Sequence, residues 1–165
     1  MHFQKKPGER YIKDDLYLED SVTFLIYRIN NALTHNFRSD LGPIKISNQE
    51  WSVLSSLKSR GGRSTISELS VCTTIKQPVI SRIITEMQEN GLVQKSQNKN
   101  DLRITEVKLS GKGNKLFDSI LPIATRQREN ALANINEGDI DHLRQTLKKI
   151  QHNLGVKSLA NRYSQ

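Results

Sequence analysis

Ile80, Ile83, Ile84 and Met87 fall at i, i+3, i+4 and i+7, while Gln77, Ser81, Arg82, Thr85 and Gln88 occupy the opposite side of the same repeat. That split predicts an amphipathic helix running to Asn90, with Gly91 in the stop position. Just upstream, Thr65-Ile66-Ser67-Glu68 has the spacing of a capping box and opens a short helix whose inward residues are Ile66, Leu69 and Cys72. A turn near Thr73-Thr74-Ile75 joins the two. Downstream, Val93-Gln94-Lys95 and Ile104 to Leu109 have strand composition, and the polar run from Ser96 to Asp101 between them predicts a hairpin turn. Ser110 then caps a helix carrying Leu116, Phe117, Ile120, Leu121 and Ala124, which Pro122 is expected to bend. Two short helices, a hairpin with a basic tip and a following helix predict a winged helix-turn-helix.

The flanks carry two longer apolar repeats. Leu18, Val22, Leu25, Ile29, Ala32 or Leu33, and Phe37 mark a long first helix that Gly42-Pro43 ends. Ser47-Asn48-Gln49-Glu50 is a second capping box, opening a helix through Trp51, Leu54 and Leu57 that Gly61-Gly62 closes. Asn136 and Asp139 open the last helix, where Ile140, Leu143, Leu147, Ile150 and Leu154 alternate at three and four residues as an a/d seam. A module this small cannot bury both terminal helices, so a two-fold dimer is expected, with Leu18, Val22, Ile140, Leu143, Leu147, Ile150 and Leu154 as its interface. The fold class is mainly α with a small β-hairpin wing. Residues 1–14 read as a tail, 15–38 and 114–157 as the helical dimerisation region, and 44–113 as the winged helix, all in one integrated domain.

Charge narrows the partner. Lys plus Arg number 25 against 17 for Asp plus Glu, a net charge of +8, which favours a polyanion such as double-stranded DNA. The single cysteine, Cys72, excludes an intrachain disulfide and reads as a small buried hydrophobe. The first residues lack the apolar core of a signal peptide, and no apolar run approaches the ~20 residues of a membrane span. A cytoplasmic protein with no membrane contact is expected. There is no His-Glu-x-x-His, no Cys-x-x-Cys and no phosphate-binding Gly-x-x-x-x-Gly-Lys-Ser, so neither a metal, a cofactor nor catalysis is expected.

Asp101-Leu102-Arg103 followed by Leu109-Ser110-Gly111-Lys112-Gly113 resembles the wing signature of the MarR family, named for regulators of multiple antibiotic resistance. In that signature Asp-x-Arg and a short strand precede Leu-Thr-x-x-Gly, and Ser110 keeps the capping hydroxyl of the threonine. Glu68-Leu69, Ser81-Arg82 and Gly91-Leu92-Val93 also match, while Lys95 and Met87 replace a commoner arginine and leucine. The resemblance covers roughly residues 16–154. It implies a homodimer that binds a short inverted repeat, usually as a repressor, and that often releases DNA when a small molecule or an oxidant acts. The peroxide-sensing members carry their thiol in the first helix, which Cys72 does not occupy.

Lys76, Gln77, Pro78 and Val79 form the N-terminal end of the reading helix, where backbone N–H groups favour phosphate. Gln77, Ser81 and Arg82 are the base-edge candidates, Arg82 for guanine and Gln77 for adenine, with Val79 placed for a thymine methyl. Lys99 and Arg103 on the wing suit the minor groove, with Asp101 orienting Arg103, and Ser64 and Thr65 begin the supporting helix near phosphate. A ligand pocket between the dimer helices and the DNA module would bring together Arg28, Asn31, His35, Trp51 and Ser55, and Arg28 and His35 favour an anion such as an aromatic carboxylate or a thioester of coenzyme A. A winged-helix module that binds protein rather than DNA is the alternative from another class. The wing argues against it, because such a module has no need of Lys99 and Arg103 together with Arg82.

Overall fold

The computed structural model describes residues 20–98 and 101–157. Leu18 and Lys99 therefore lie outside the described residues. The chain divides into two compact units between Asp40 and Leu41. The first contains the long helix α1 (Val22–Leu41) except for its last residue, and the second contains every other element.

In the second unit, α2 (Asn48–Ser59) is opened by the expected capping box. The Ser47 hydroxyl accepts from the Glu50 N–H at 3.2 Å and the Glu50 carboxylate accepts from the Ser47 N–H at 2.8 Å. The same reciprocal pair, Thr65 and Glu68, opens α3 (Ile66–Thr73). Each box satisfies donors that a helix start leaves without intrahelical partners. The chain then turns sharply through Thr74, at φ +57, into α4 (Gln77–Glu89). Gly91, at φ +71, stops α4, and the Leu92 N–H closes on the Met87 carbonyl at 2.8 Å.

The hairpin consists of β2 (Val93–Gln97) and β3 (Thr105–Leu109), in the register Val93 to Leu109. A further strand not expected from the sequence, β1 (Arg63–Thr65), pairs with the other side of β3 and makes a three-stranded antiparallel sheet of order β1-β3-β2. Its side chains alternate. Ser64, Val107 and Val93 face inward, while Arg63, Lys108 and Gln94 form one row on the opposite face.

The core is formed where α2, α3 and α4 meet this sheet. Val53, Leu54, Leu57, Leu69, Ile80, Ile84, Met87 and Val107 are fully buried, joined by Ile83, Val93, Leu109 and Phe117. Ile66 packs against this core half-buried, but Cys72, expected inward, is exposed. Leu69 is the one fully buried residue of this eight-residue helix.

Helix α5 (Gly111–Ala131) is capped by the Ser110 hydroxyl, which accepts from the Gly113 N–H at 2.9 Å, and it runs on through Pro122. Gly113 is required by a close approach, since a Cβ there would lie 2.1 Å from the Leu92 carbonyl oxygen. The same carbonyl accepts from the Ser110 N–H at 3.0 Å, so the chain crossing that starts α5 has no room for a side chain. Helix α6 (Glu137–Asn153) is capped by Asn136 and has no buried residue.

Candidate nucleic-acid interface

The polar face of α4 is uncovered. Gln77, Pro78, Ser81, Arg82 and Thr85 are exposed, with Ile80, Ile83, Ile84 and Met87 turned into the core. Arg82 is 72% exposed, its Nε 3.8 Å from the Glu86 carboxylate one turn on. A solvent-exposed pair at that distance holds the guanidinium weakly, so it can be exchanged for a phosphate or a guanine edge at little cost. Thr85 donates to the Ser81 carbonyl at 3.0 Å and accepts from Lys95 of β2 at 3.1 Å, tying the wing to the reading helix.

The helix start is less open to anions than its sequence predicts. Pro78 has no N–H, and the Val79 N–H turns back to the Lys76 carbonyl at 3.0 Å. Of the first three helical residues only Gln77 has an N–H without an intrahelical acceptor, so the favourable charge there comes chiefly from the exposed Lys76 ammonium. Val79 is half-buried and packs against the core.

A hollow of about 580 Å³ lies beside this helix, lined by Thr65, Ser67 and Glu68 of the supporting helix and its cap, Gln77 and Ser81 of α4, and Arg103 and Thr105 of the wing. The structure thus brings Thr65, Gln77, Ser81 and Arg103, all expected at the site, to one concave surface. It does not bring Ser64. That residue is buried, and its hydroxyl donates to Glu68 at 3.0 Å, so a phosphate contact from Ser64 is corrected to a structural role. Glu68 is the hub of this corner, accepting also from the Thr65 N–H at 2.9 Å and pairing with Arg60 at 3.0 Å.

Asp101 also acts differently from expectation. Its carboxylate accepts from the backbone N–H of Arg103 at 2.9 Å, and its own N–H donates to the Asn98 side chain at 3.1 Å. Asn98 in turn donates to Glu106 at 2.6 Å. Asp101 therefore shapes the turn that presents Arg103 rather than gripping its guanidinium.

A second concavity, about 510 Å³, includes Arg63, Gln94 and Lys108 from the outer face of the sheet. Arg63 and Lys108 face each other across β1 and β3, both exposed, and neither was singled out in the sequence. The outward position of Lys108 follows from strand alternation, but its meeting with Arg63 depends on β1. The candidate ligand residues fall in different units, with Arg28, Asn31 and His35 exposed on α1 and Trp51 and Ser55 on α2. Arg28 lies over the Phe24 ring at 5.8 Å, Trp51 stacks on Phe117 at 5.2 Å, and the Ser55 hydroxyl is buried without a hydrogen-bond partner. Among the described residues no three His, Cys, Asp or Glu side chains converge as a metal site, and no helix is long and apolar enough to cross a membrane.

Comparison with known proteins agrees with this geometry. The HTH-type transcriptional repressor IacR of Pseudomonas putida is 26% identical over 141 residues, covering 86% of this chain and 84% of that protein. The crystal structure of AbsC, a MarR family transcriptional regulator from Streptomyces coelicolor, superposes with a TM-score of 0.76 at 23% identity, over 86% of this chain and 99% of AbsC. BpsR of Bordetella bronchiseptica, whose DNA binding is regulated by 6-hydroxynicotinic acid, superposes with a TM-score of 0.71 at 20% identity, over 80% of this chain and 99% of BpsR. The model of the MarR family matches residues 46–105, which run from the start of α2 into the wing. Residues 46–105 thus match the MarR family of winged-helix regulators, and over most of its length the chain is similar to a transcriptional repressor and shares the fold of MarR family regulators.

Proposed function

We propose that the chain is a homodimeric repressor that binds a pseudo-palindromic DNA operator and performs no catalysis. The observation that carries this reading is the uncovered polar face of α4, continuous with the hollow that Arg103 completes. Two-fold related reading helices enter successive major grooves about one helical turn apart, which is why the operator repeats its half-site in inverted order. Arg82, Gln77 and Ser81 read base edges, while Lys76, Thr65 and the wing residues Lys99 and Arg103 hold the backbone and the adjacent minor groove. The net charge of +8 supplies the non-specific attraction.

The dimer is supported by apolar surface that the single chain leaves uncovered. On α1, Val22, Tyr27 and Ile29 are 57–60% exposed, and on α6 Leu143 is 48% and Leu147 39% exposed. A second copy covers these faces. The effector is a small anion of the aromatic carboxylate or coenzyme A thioester class. Its support is the likeness to BpsR, which responds to an aromatic carboxylate, and the exposed Arg28 on α1. A repressor of this kind works in the cytoplasm, where its operator is.

Binding of the purified chain to duplexes from the region flanking its own gene tests the reading, with sedimentation run in parallel and aromatic carboxylates added in turn. Saturable binding by a dimer to one inverted repeat, surviving excess random DNA, is expected. A monomer, or equal affinity for every sequence, would overturn it.

A further inference from the structure

Gln77 and Ser67 stand on different helices, yet the Gln77 Nε2 donates to the Ser67 hydroxyl at 3.3 Å. Both side chains are exposed, and both line the hollow beside Ser81 and Arg103. The fold does not need this bond. The start of α3 is held by Thr65 and Glu68, and α4 is held by its buried face. Its effect falls on the glutamine. A free carboxamide turns end over end at small cost and can offer either its oxygen or its N–H groups to a base. In the orientation the structure holds, Nε2 is engaged by Ser67, the oxygen is left to accept, and one N–H remains to donate.

That pattern is complementary to one base. In the major groove adenine presents an N6 donor beside an N7 acceptor, whereas guanine presents two acceptors, O6 and N7. We propose that Ser67 is a specificity-determining positioning residue, which holds the Gln77 carboxamide so that it selects adenine over guanine at one symmetric operator position. This inference rests on the operator-binding reading above and adds to it a residue that makes no base contact itself.

The test is selection from a duplex library with a randomised centre, using the full chain. It is followed by affinity measurements on the four variants of the position whose preference disappears in Gln77→Ala. The unaltered protein should prefer adenine there by roughly five- to a hundredfold, the range of one bidentate contact. Ser67→Ala should reduce the adenine-to-guanine ratio several-fold at that position alone, leaving other positions and binding to random DNA unchanged, and Ser67→Thr should retain the ratio. Melting curves for each variant establish that the fold is intact. Failure of the unaltered protein to enrich any sequence would defeat the operator reading itself. Enrichment with a ratio that Ser67→Ala leaves intact, a guanine preference at the Gln77 position, or a uniform loss over all sequences would each overturn the role of Ser67 while leaving that reading standing.

Discussion

Helices α4 and α6 carry nearly the same apolar repeat and meet opposite fates. In α4 the stripe of Ile80, Ile83, Ile84 and Met87 is at most 3% exposed, pressed against α2, α3 and the sheet. In α6 nothing is buried, Leu143 and Leu147 stand 48% and 39% exposed, and Leu154, which caps its C-terminus, is 74% exposed. Periodicity reports that a face is to leave water but not what will cover it. For α4 the covering elements lie within forty residues on either side, whereas for α6 the proposed cover is another copy of the chain. The winged helix thus covers its own apolar stripe, whereas in the proposed dimer the stripe of α6 is covered by association.

The sharpest way to break this comparison is to place the same charge in both stripes. Ile84→Asp buries a carboxylate without a partner among fully buried neighbours, and a loss above ~4 kcal/mol should unfold the winged helix. Leu147→Asp, at a position 39% exposed, should leave the helical circular dichroism of the chain largely intact while sedimentation shifts to monomer and operator affinity collapses. Should both variants unfold alike, or Leu147→Asp remain dimeric, α6 would not be the associating face.

Gly113 tests how tightly the reading half is built. Replacement by alanine places a methyl carbon 2.1 Å from the Leu92 carbonyl, which is backbone and cannot swing aside. A loss of about 3 kcal/mol or more is expected from thermal or urea unfolding, at the upper end for overpacking. A change below about 1 kcal/mol would mean that α5 can shift away from β2 freely.

How much of this was legible depended on how local the cause was. Both capping boxes could be read because the hydroxyl and the carboxylate lie three residues apart and satisfy each other. The stripe of α4 was readable because four bulky residues repeat within two turns. Strand β1 was not, since Arg63-Ser64-Thr65 has no strand pattern of its own and is extended only because β3 offers it an edge. The error at Ser64 followed, as did the unnoticed pairing of Arg63 with Lys108. Cys72 follows Ile66 and Leu69 at the same three-residue spacing yet is exposed, because spacing within a helix does not say which of its turns a neighbouring element covers. At the site itself, residue types identified Gln77 and Arg82, but only the geometry joins Ser67 to Gln77 and gives Asp101 the Arg103 N–H in place of its guanidinium.

A smaller effect separates base reading from backbone holding on the uncovered face of α4. Arg82→Ala should weaken binding to the preferred operator by about 1–3 kcal/mol through one symmetric position, and Lys76→Ala should weaken all sequences together and reduce the salt dependence. Competition against operators substituted at single positions distinguishes the two. Equal losses on operator and random DNA for Arg82→Ala would make it a phosphate contact like Lys76.

The smallest expected effect is a gain, at the turn between α3 and α4. Thr74 adopts φ +57, a left-handed conformation in which the Cβ of an L-residue crowds the following carbonyl, and a β-branched side chain does so most. Its exposed hydroxyl donates only to the neighbouring Thr73 carbonyl at 2.7 Å, so little else is lost on removing it. Glycine accepts this φ without the crowding but frees the unfolded chain, and the two terms partly cancel. Thr74→Gly should therefore stabilise the winged helix by about 0.5–1 kcal/mol in urea unfolding, with operator specificity unchanged, because the turn angle that aims α4 is kept. A destabilised Thr74→Gly would show that the threonine side chain itself holds α3 and α4 at their angle, and the order of importance in this turn would then pass from the backbone to the Thr74 hydroxyl.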